Sequence, residues 1–318
     1  MSQALPLVRP GKSLNLLQDL IAYAQTLPTV RTGVVHPCDA VSLGAALEAR
    51  SLNLIDPLLI GPRARIEAVA GQEGLALDGI EIIDVPHSHA AAAKGAELAA
   101  AGEVHAIMKG SLHTDELMSA ILPSAAGLRT KRRVSHCFIM QVLTYPRAFI
   151  ITDAAINIAP DLLAKADIVQ NAIDLAAVLG LESPRVALLA AVETVSTHMP
   201  ATLDAAILCK MADRGQISGG VLDGPLAFDN AISIEAAKIK GIRSEVAGAA
   251  DILVAPDLES GNMLAKQLEY LGNAQSAGIV LGAKVPVVLT SRADPKQSRL
   301  ASCAVAAILA QHYKDNPP

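Results

Sequence analysis

The sequence predicts an α/β protein of two lobes, each a mostly parallel sheet with helices on both faces. Three observations point there. Short β-branched runs alternate with alanine-rich helical stretches along the chain, the arrangement that right-handed crossovers turn into parallel sheets. Several of these runs end in a glycine, a hydroxyl or a charge, and 318 residues exceed what one core usually serves. The run 284–294, KVPVVLTSRAD, shows the pattern most sharply, because an apolar strand breaks off into Ser291, Arg292 and Asp294. In open α/β sheets ligands collect outside the carboxyl ends of the strands, which makes these three candidate site residues. The plain structural reading is a strand-to-helix loop with Asp294 as a helix cap ahead of Pro295.

Taken in order, 14–27 has the spacing of an amphipathic helix that stops before Pro28, and 32–36 begins the first strand. A helix over 39–49, a strand over 52–60 closed by Gly61-Pro62, and a helix through Val69 follow. Residues 80–85 read as a strand and 89–101 as an alanine-rich helix closed by Gly102. Next comes a strand over 104–108, then Lys109-Gly110-Ser111-Leu112-His113-Thr114, then a helix over 115–121. Lysine and glycine between a strand and a helix N-terminus put a cation and backbone N–H groups where an anion, phosphate above all, binds. The Walker A spacing is absent, and the plain reading is a turn capped by Thr114.

Further along, 147–151 is a strand ending in Thr152-Asp153, and 160–179 a helix closed by Gly180. A strand over 186–192 ends at Glu193, and a helix over 202–214 is closed by Gly215. Residues 219–225 read as a glycine-rich turn holding Asp223, Gly224 and Pro225. A strand over 252–255 ends in Pro256-Asp257, and Gly261-Asn262 opens a helix over 263–271. The last helix, 297–312, returns to the first lobe, so the expected domains are 1–143 with 293–318, and 144–292. Lys109, Gly110, Asp153, Glu193, Asp223, Gly224, Asp257, Gly261 and Asn262 thus stand at equivalent strand ends and are expected to face a shared cleft.

Composition narrows the classes. Hydrophobic residues make up 52% but aromatics only 2%, so the cores must be aliphatic. No stretch reaches ~18 uninterrupted apolar residues, and the N-terminus lacks a secretory pattern, so a cytoplasmic protein without membrane spans is expected. Cys38, Cys137, Cys209 and Cys303 lack CxxC spacing, which argues against a zinc site or a disulfide framework. The net charge of −5 is mild, and without a basic stripe interleaved with aromatics nucleic acid is not an expected partner. The run from Arg129 to Arg133 holds a phosphate or is a solvated face.

Met108-Lys109-Gly110-Ser111 with His113-Thr114, Asp223-Gly224-Pro225-Leu226 with Asp229, Pro256-Asp257 with Gly261-Asn262, and the terminal LTSRAD resemble, in order and spacing, the phosphate acetyl/butyryltransferase family. The resemblance covers about residues 100–305, and AAVETVSTHMPATLD at 190–204 with the unbroken SRAD looks closer to the butyryl branch. It implies a two-lobed homodimer of the isocitrate/isopropylmalate-dehydrogenase-like type, metal-free, that moves an acyl group between coenzyme A and inorganic phosphate in the interlobe cleft. Coenzyme A is then a substrate, and no cofactor is expected. It also implies that Ser291 donates to the developing oxyanion and that Arg292 holds phosphate or coenzyme A. Lys109, Gly110, Ser111, His113, Thr114, Arg133, Asp223, Gly224, Asp257, Gly261 and Asn262 would bind the substrates.

The chain departs from the acetyl branch twice. Ser298 stands where that branch has its proposed base, which leaves Asp294 as the nearest acid. An arginine of that branch is missing near Ser119, a charge that Arg129, Arg132, Arg133 or Lys109 would have to supply. Two other classes stay open. One is an NAD- and metal-dependent hydroxyacid dehydrogenase with Asp223 and Asp257 as metal carboxylates, against which stands the absence of GxGxxG. The other is a non-catalytic protein that binds coenzyme A or another ligand. His113 and Asn262 have plain readings as a structural hydrogen-bonder and a helix cap.

Overall fold

The computed structural model describes residues 15–289 and 293–318. In chain order it runs α1 (Leu16–Ala24), β1 (Val30–Val35), α2 (Ala40–Ser51), β2 (Ile55–Gly61), α3 (Arg63–Glu73), β3 (Ile82–Asp84), α4 (Ser88–Ala100), β4 (Ala106–Lys109) and α5 (Thr114–Ile121). Then follow β5 (Ser135–Gln141), β6 (Phe149–Thr152), α6 (Leu162–Val178), β7 (Arg185–Leu189), α7 (Pro200–Asp213), β8 (Val221–Leu226), α8 (Phe228–Ile232) and α9 (Ile234–Ile239). The chain closes with β9 (Ile252–Val254), α10 (Leu258–Leu271), β10 (Gln275–Leu281), β11 (Val287–Val288) and α11 (Lys296–Asp315). The described chain forms two compact units, Leu17–Val134 with Ala277–Pro318, and Ser135–Ser276 with Asn15 and Leu16.

In the first unit the strands lie in the order β3-β2-β1-β4-β11-β10. All run parallel except β10, which is antiparallel to β11. The register sets Val34 beside Leu59 on one side and Met108 on the other, with Val288 beyond Met108. α11 is buried almost throughout from Ser298 to Ala310. A helix that is small and apolar on nearly every side belongs inside a protein, and alanines 301, 304, 306, 307 and 310 let it close onto β1, β4, β11 and α2. The alanine-rich, aromatic-poor composition thus serves close approach of helix to sheet.

In the second unit the order is β5-β6-β9-β7-β8, parallel except that β5 is antiparallel to β6. Its core packs Met140, Phe149, Ile151, Leu226 and Leu253 against smaller residues such as Ala187 and Ala265. Side-chain caps start several helices in both units: Asp39 accepts from the Ser42 N–H at 2.7 Å and Asp161 from the Ala164 N–H at 2.8 Å. No helix of the described residues is long and apolar enough to cross a membrane.

The mixed α/β class and the parallel pairing match the reading of the sequence, with corrections. The glycine-rich stretch read as a turn contains strand β8, Val221–Leu226, with Asp223, Gly224 and Pro225 inside it. β8 lies at the sheet edge, where a proline without an N–H does not break a ladder. β5 and β10 carry no alternating pattern, because both are buried along nearly their whole length. Among the described residues of the run 284–294, Val287–Val288 pairs as a strand.

Candidate active site

In both units polar residues gather at the carboxyl ends of parallel strands. In the first unit β1 has β2 on one side and β4 on the other, so the crevice between the ends of β1 and β4 is a topological switch point. Gly110 leaves β4 there, its N–H donating to the Val35 carbonyl at 2.8 Å. A Cβ at this position would lie 2.4 Å from that oxygen and 2.5 Å from the His36 carbonyl oxygen, so only glycine fits. The Ser111 N–H and hydroxyl both donate to the His36 carbonyl at 2.9 Å, and the hydroxyl accepts from the Cys38 N–H at 3.2 Å. Lys109 is buried, and its ammonium folds back over the turn to donate to the carbonyls of Leu112 at 3.1 Å and Gly110 at 3.4 Å.

This turn feeds α5. His113, exposed, is the N-cap residue but makes no side-chain cap bond, and Thr114 is the first helical residue rather than the cap. A cation, a backbone turn and a helix N-terminus therefore meet at the switch point, the combination that attracts an anion. Ser291 and Arg292 lie outside the described residues; they come after β11, which pairs in parallel with β4. Asp294 is not the helix cap, since Pro295 holds that position, and its carbonyl accepts from Arg299 Nη1 at 2.5 Å. Arg133 is exposed at the end of the basic run.

In the second unit Asp257 caps α10, the role read in the sequence for Asn262. Its carboxylate accepts from the Ser260 N–H at 2.8 Å and the Ser260 hydroxyl at 2.6 Å. Burial pushes this carboxyl up, but the two Ser260 bonds, the Lys165 charge and the Glu259 backbone N–H together hold it below the ordinary range. A Cβ on Gly261 would lie 2.5 Å from the Asp153 carbonyl oxygen, and Asn262 Nδ2 donates to the Ala154 carbonyl at 3.1 Å. Asp153 is buried, which raises its pKa despite N–H bonds from Ala155, Ile156 and Asn157 at 2.9–3.1 Å and one from Asn157 Nδ2 at 2.6 Å. The ends of β6 and β9 are thus tied together by Asp153, Ala154, Asp257, Gly261 and Asn262. Asp223 Oδ1, on β8, accepts from the Gly224 N–H at 2.8 Å.

Two features escaped the sequence reading. His36, directly after β1, sits on Ser111; it carried the same signal as the other strand-end residues. Lys165 and Asp204 pair at 2.6 Å near the N-termini of α6 and α7, a contact between residues 39 apart that no local pattern announces. The cysteines are free thiols, and burial pushes Cys137, Cys209 and Cys303 each up to about 12, which keeps them protonated at neutral pH. Among the described residues no cluster of three His, Cys, Asp or Glu side chains could hold a metal ion.

Comparison with known proteins bears on this geometry. A family model described as phosphate acetyl/butaryl transferase matches residues 87–307. A phosphate acetyltransferase of Rhizobium meliloti is 62% identical over 291 residues, 92% of each chain. A phosphate butyryltransferase of Clostridium acetobutylicum is 39% identical over 299 residues, 94% of this chain and 98% of its own. A crystal structure of a branched-chain phosphotransacylase from Enterococcus faecalis matches with a TM-score of 0.76 at 29% identity, over 88% of this chain and 99% of that one.

Proposed function

The chain belongs to the phosphate acetyl/butaryl transferase family and moves an acyl group between coenzyme A and phosphate, and from that premise we propose that the group is acetyl. The observation that carries acetyl is the 62% identity to a phosphate acetyltransferase, against 39% to a butyryltransferase of similar coverage. This weighting runs opposite to the butyryl-like look of 190–204 and SRAD.

In the direction of thioester synthesis the coenzyme A thiol gives its proton to a base, and the sulfur attacks the carbonyl carbon of acetyl phosphate. A C–S bond forms, the bond between the carbonyl carbon and the bridging oxygen breaks, and phosphate leaves with the bonding pair. The reverse reaction uses a phosphate oxygen as nucleophile. Such a reaction needs a donor to the tetrahedral oxyanion, a clamp on the phosphoryl group and a proton acceptor. Ser291 is assigned to the oxyanion, Arg292 to phosphate or coenzyme A, and Asp294, the nearest acid to them in sequence, to the proton. The Lys109–Thr114 segment supplies the anion cradle, with Arg133 as a further cation. Asp223, Gly224, Asp257, Gly261 and Asn262 are assigned to substrate binding through the strand ends they shape. Coenzyme A enters as substrate, without a resident cofactor.

The isocitrate/isopropylmalate-dehydrogenase-like type is supported by two α/β units, each built on a mostly parallel sheet. A homodimer is supported by large apolar residues left on the surface of α10, Tyr270 at 69% and Leu271 at 81% exposure. A cytoplasmic location rests on the sequence reading alone. The test of the reaction is thiol release from acetyl-coenzyme A. Release that requires inorganic phosphate and yields acetyl phosphate in equal amount supports the transferase, and release without phosphate refutes it.

A further inference from the structure

His36 is a buried side chain to which the reaction above gives no part. It follows β1 in left-handed backbone, with φ 54°, and is 6% exposed. Its ring Nδ1 lies 3.2 Å from Ser111 Oγ. A serine hydroxyl has one proton, and here that proton goes to the His36 carbonyl at 2.9 Å. The Cys38 N–H at 3.2 Å takes one acceptor position of the same oxygen. The contact with Nδ1 is therefore a hydrogen bond only if Nδ1 carries the hydrogen. That geometry favours the Nδ1–H tautomer and leaves Nε2 buried and without a hydrogen-bond partner among the described residues. Burial first, then Arg65 on α3, push the ring pKa down; Glu116 on α5, a hydrogen bond with the Ser111 backbone and Asp39 ahead of α2 act the other way. One residue thus grips Ser111 three ways: its carbonyl takes the Ser111 N–H and hydroxyl, and its ring meets the hydroxyl from the other side.

Lys109 depends on that grip. Its ammonium is held by the carbonyls of Gly110 and Leu112, which flank Ser111, so a shift of Ser111 carries the cation with it. We propose that His36 is a positioning residue of the acyl-phosphate site, its Nδ1–H tautomer holding the Lys109–Ser111 turn in the shape that presents an anion cradle at the switch point. The proposal rests on the reading of this turn as the anion site.

The test compares steady-state constants of the full-length enzyme with acetyl phosphate and coenzyme A. His36→Gly keeps the left-handed backbone without strain and removes the ring. His36→Asn, a residue that tolerates the same backbone, restores an N–H donor near the position of Nδ1. The expected result is a KM for acetyl phosphate raised about tenfold in the glycine variant, an unchanged KM for coenzyme A, and recovery to within about threefold of the parent in the asparagine variant. A glycine variant with the parent KM, or an asparagine variant no better than glycine, overturns the role of His36. Lys109→Met separates the two levels of the argument. If its KM for acetyl phosphate is also unchanged, the anion-site reading fails; if it rises while His36→Gly does not, only the inference about His36 fails. Should the glycine variant not fold, nitrogen NMR of the 15N-histidine-labelled parent decides, with the His36 signals identified by their loss in His36→Asn. Protonation at Nδ1, with shifts on addition of acetyl phosphate, supports the proposal, and protonation at Nε2 overturns it.

Discussion

Lys165 Nζ lies 2.6 Å from Asp204 Oδ2, an ion pair that joins α6 to α7 where both helices begin. The lysine side chain is only 9% exposed and the aspartate 26%, so removing one partner strands the other in a poorly hydrated place. Lys165→Met is expected to destabilise the protein by about 2 kcal/mol, and Lys165→Met with Asp204→Leu by less than the sum of the single changes. Urea unfolding of the four proteins measures the coupling; strictly additive losses would show that the pair holds nothing.

Acid should unfold the protein partly through His136. The ring is buried against Phe138, and burial first, then Lys266, lower its pKa from 6.5 to about 3. The unfolded chain takes up the proton below about pH 6.5 while the folded chain refuses it until about pH 3. Stability from this group is therefore present above pH 6.5 and is lost as pH falls toward 3, by up to about 1.4 kcal/mol per unit. His136→Leu should flatten the decline, as read from unfolding midpoints at pH 4.5 and 7; an equal decline in both proteins would be evidence against it.

Gly261 is where α10 meets the backbone of the β6 end. A methyl group there would press on the Asp153 carbonyl oxygen at 2.5 Å and the Ala255 Cβ at 3.0 Å. Gly261→Ala is expected to cost about 1–3 kcal/mol and to lower activity beyond what its thermal midpoint explains. A variant with the parent midpoint would mean that the helix shifts freely and that Asp153 does not fix it.

How much of this was legible in the sequence depends on where each signal lives. The strands ending at Lys109 and Thr152 are short apolar runs bounded by polar residues, and they emerge within two residues of expectation. β5 and β10 did not, because a strand buried on both faces shows no alternation that separates it from a buried helix. The strand-end rule pointed to Gly110 and Gly261, whose close contacts exclude any side chain. It pointed to Asp257 as a ligand group, whereas its carboxylate is engaged in capping α10. The same rule, applied to the end of β1, would have found His36. Ser291 and Arg292 rest on the strand-end reading and on the family pattern, since both lie outside the described residues.

Ser291→Ala removes the hydroxyl assigned to the oxyanion. A donor that acts only in the transition state should affect kcat, so a fall of about 100-fold with KM values within about twofold is expected. Full activity in the variant would remove Ser291 from the mechanism.

The most direct measurement of the central claim is formation of acyl-coenzyme A from coenzyme A with acetyl, propionyl and butyryl phosphate, followed at the thioester absorbance. The account predicts turnover with the highest kcat/KM for acetyl phosphate, about tenfold or more above butyryl phosphate. A preference for butyryl phosphate would contradict the assignment of the acyl group, and no turnover with any of the three would contradict the transferase itself.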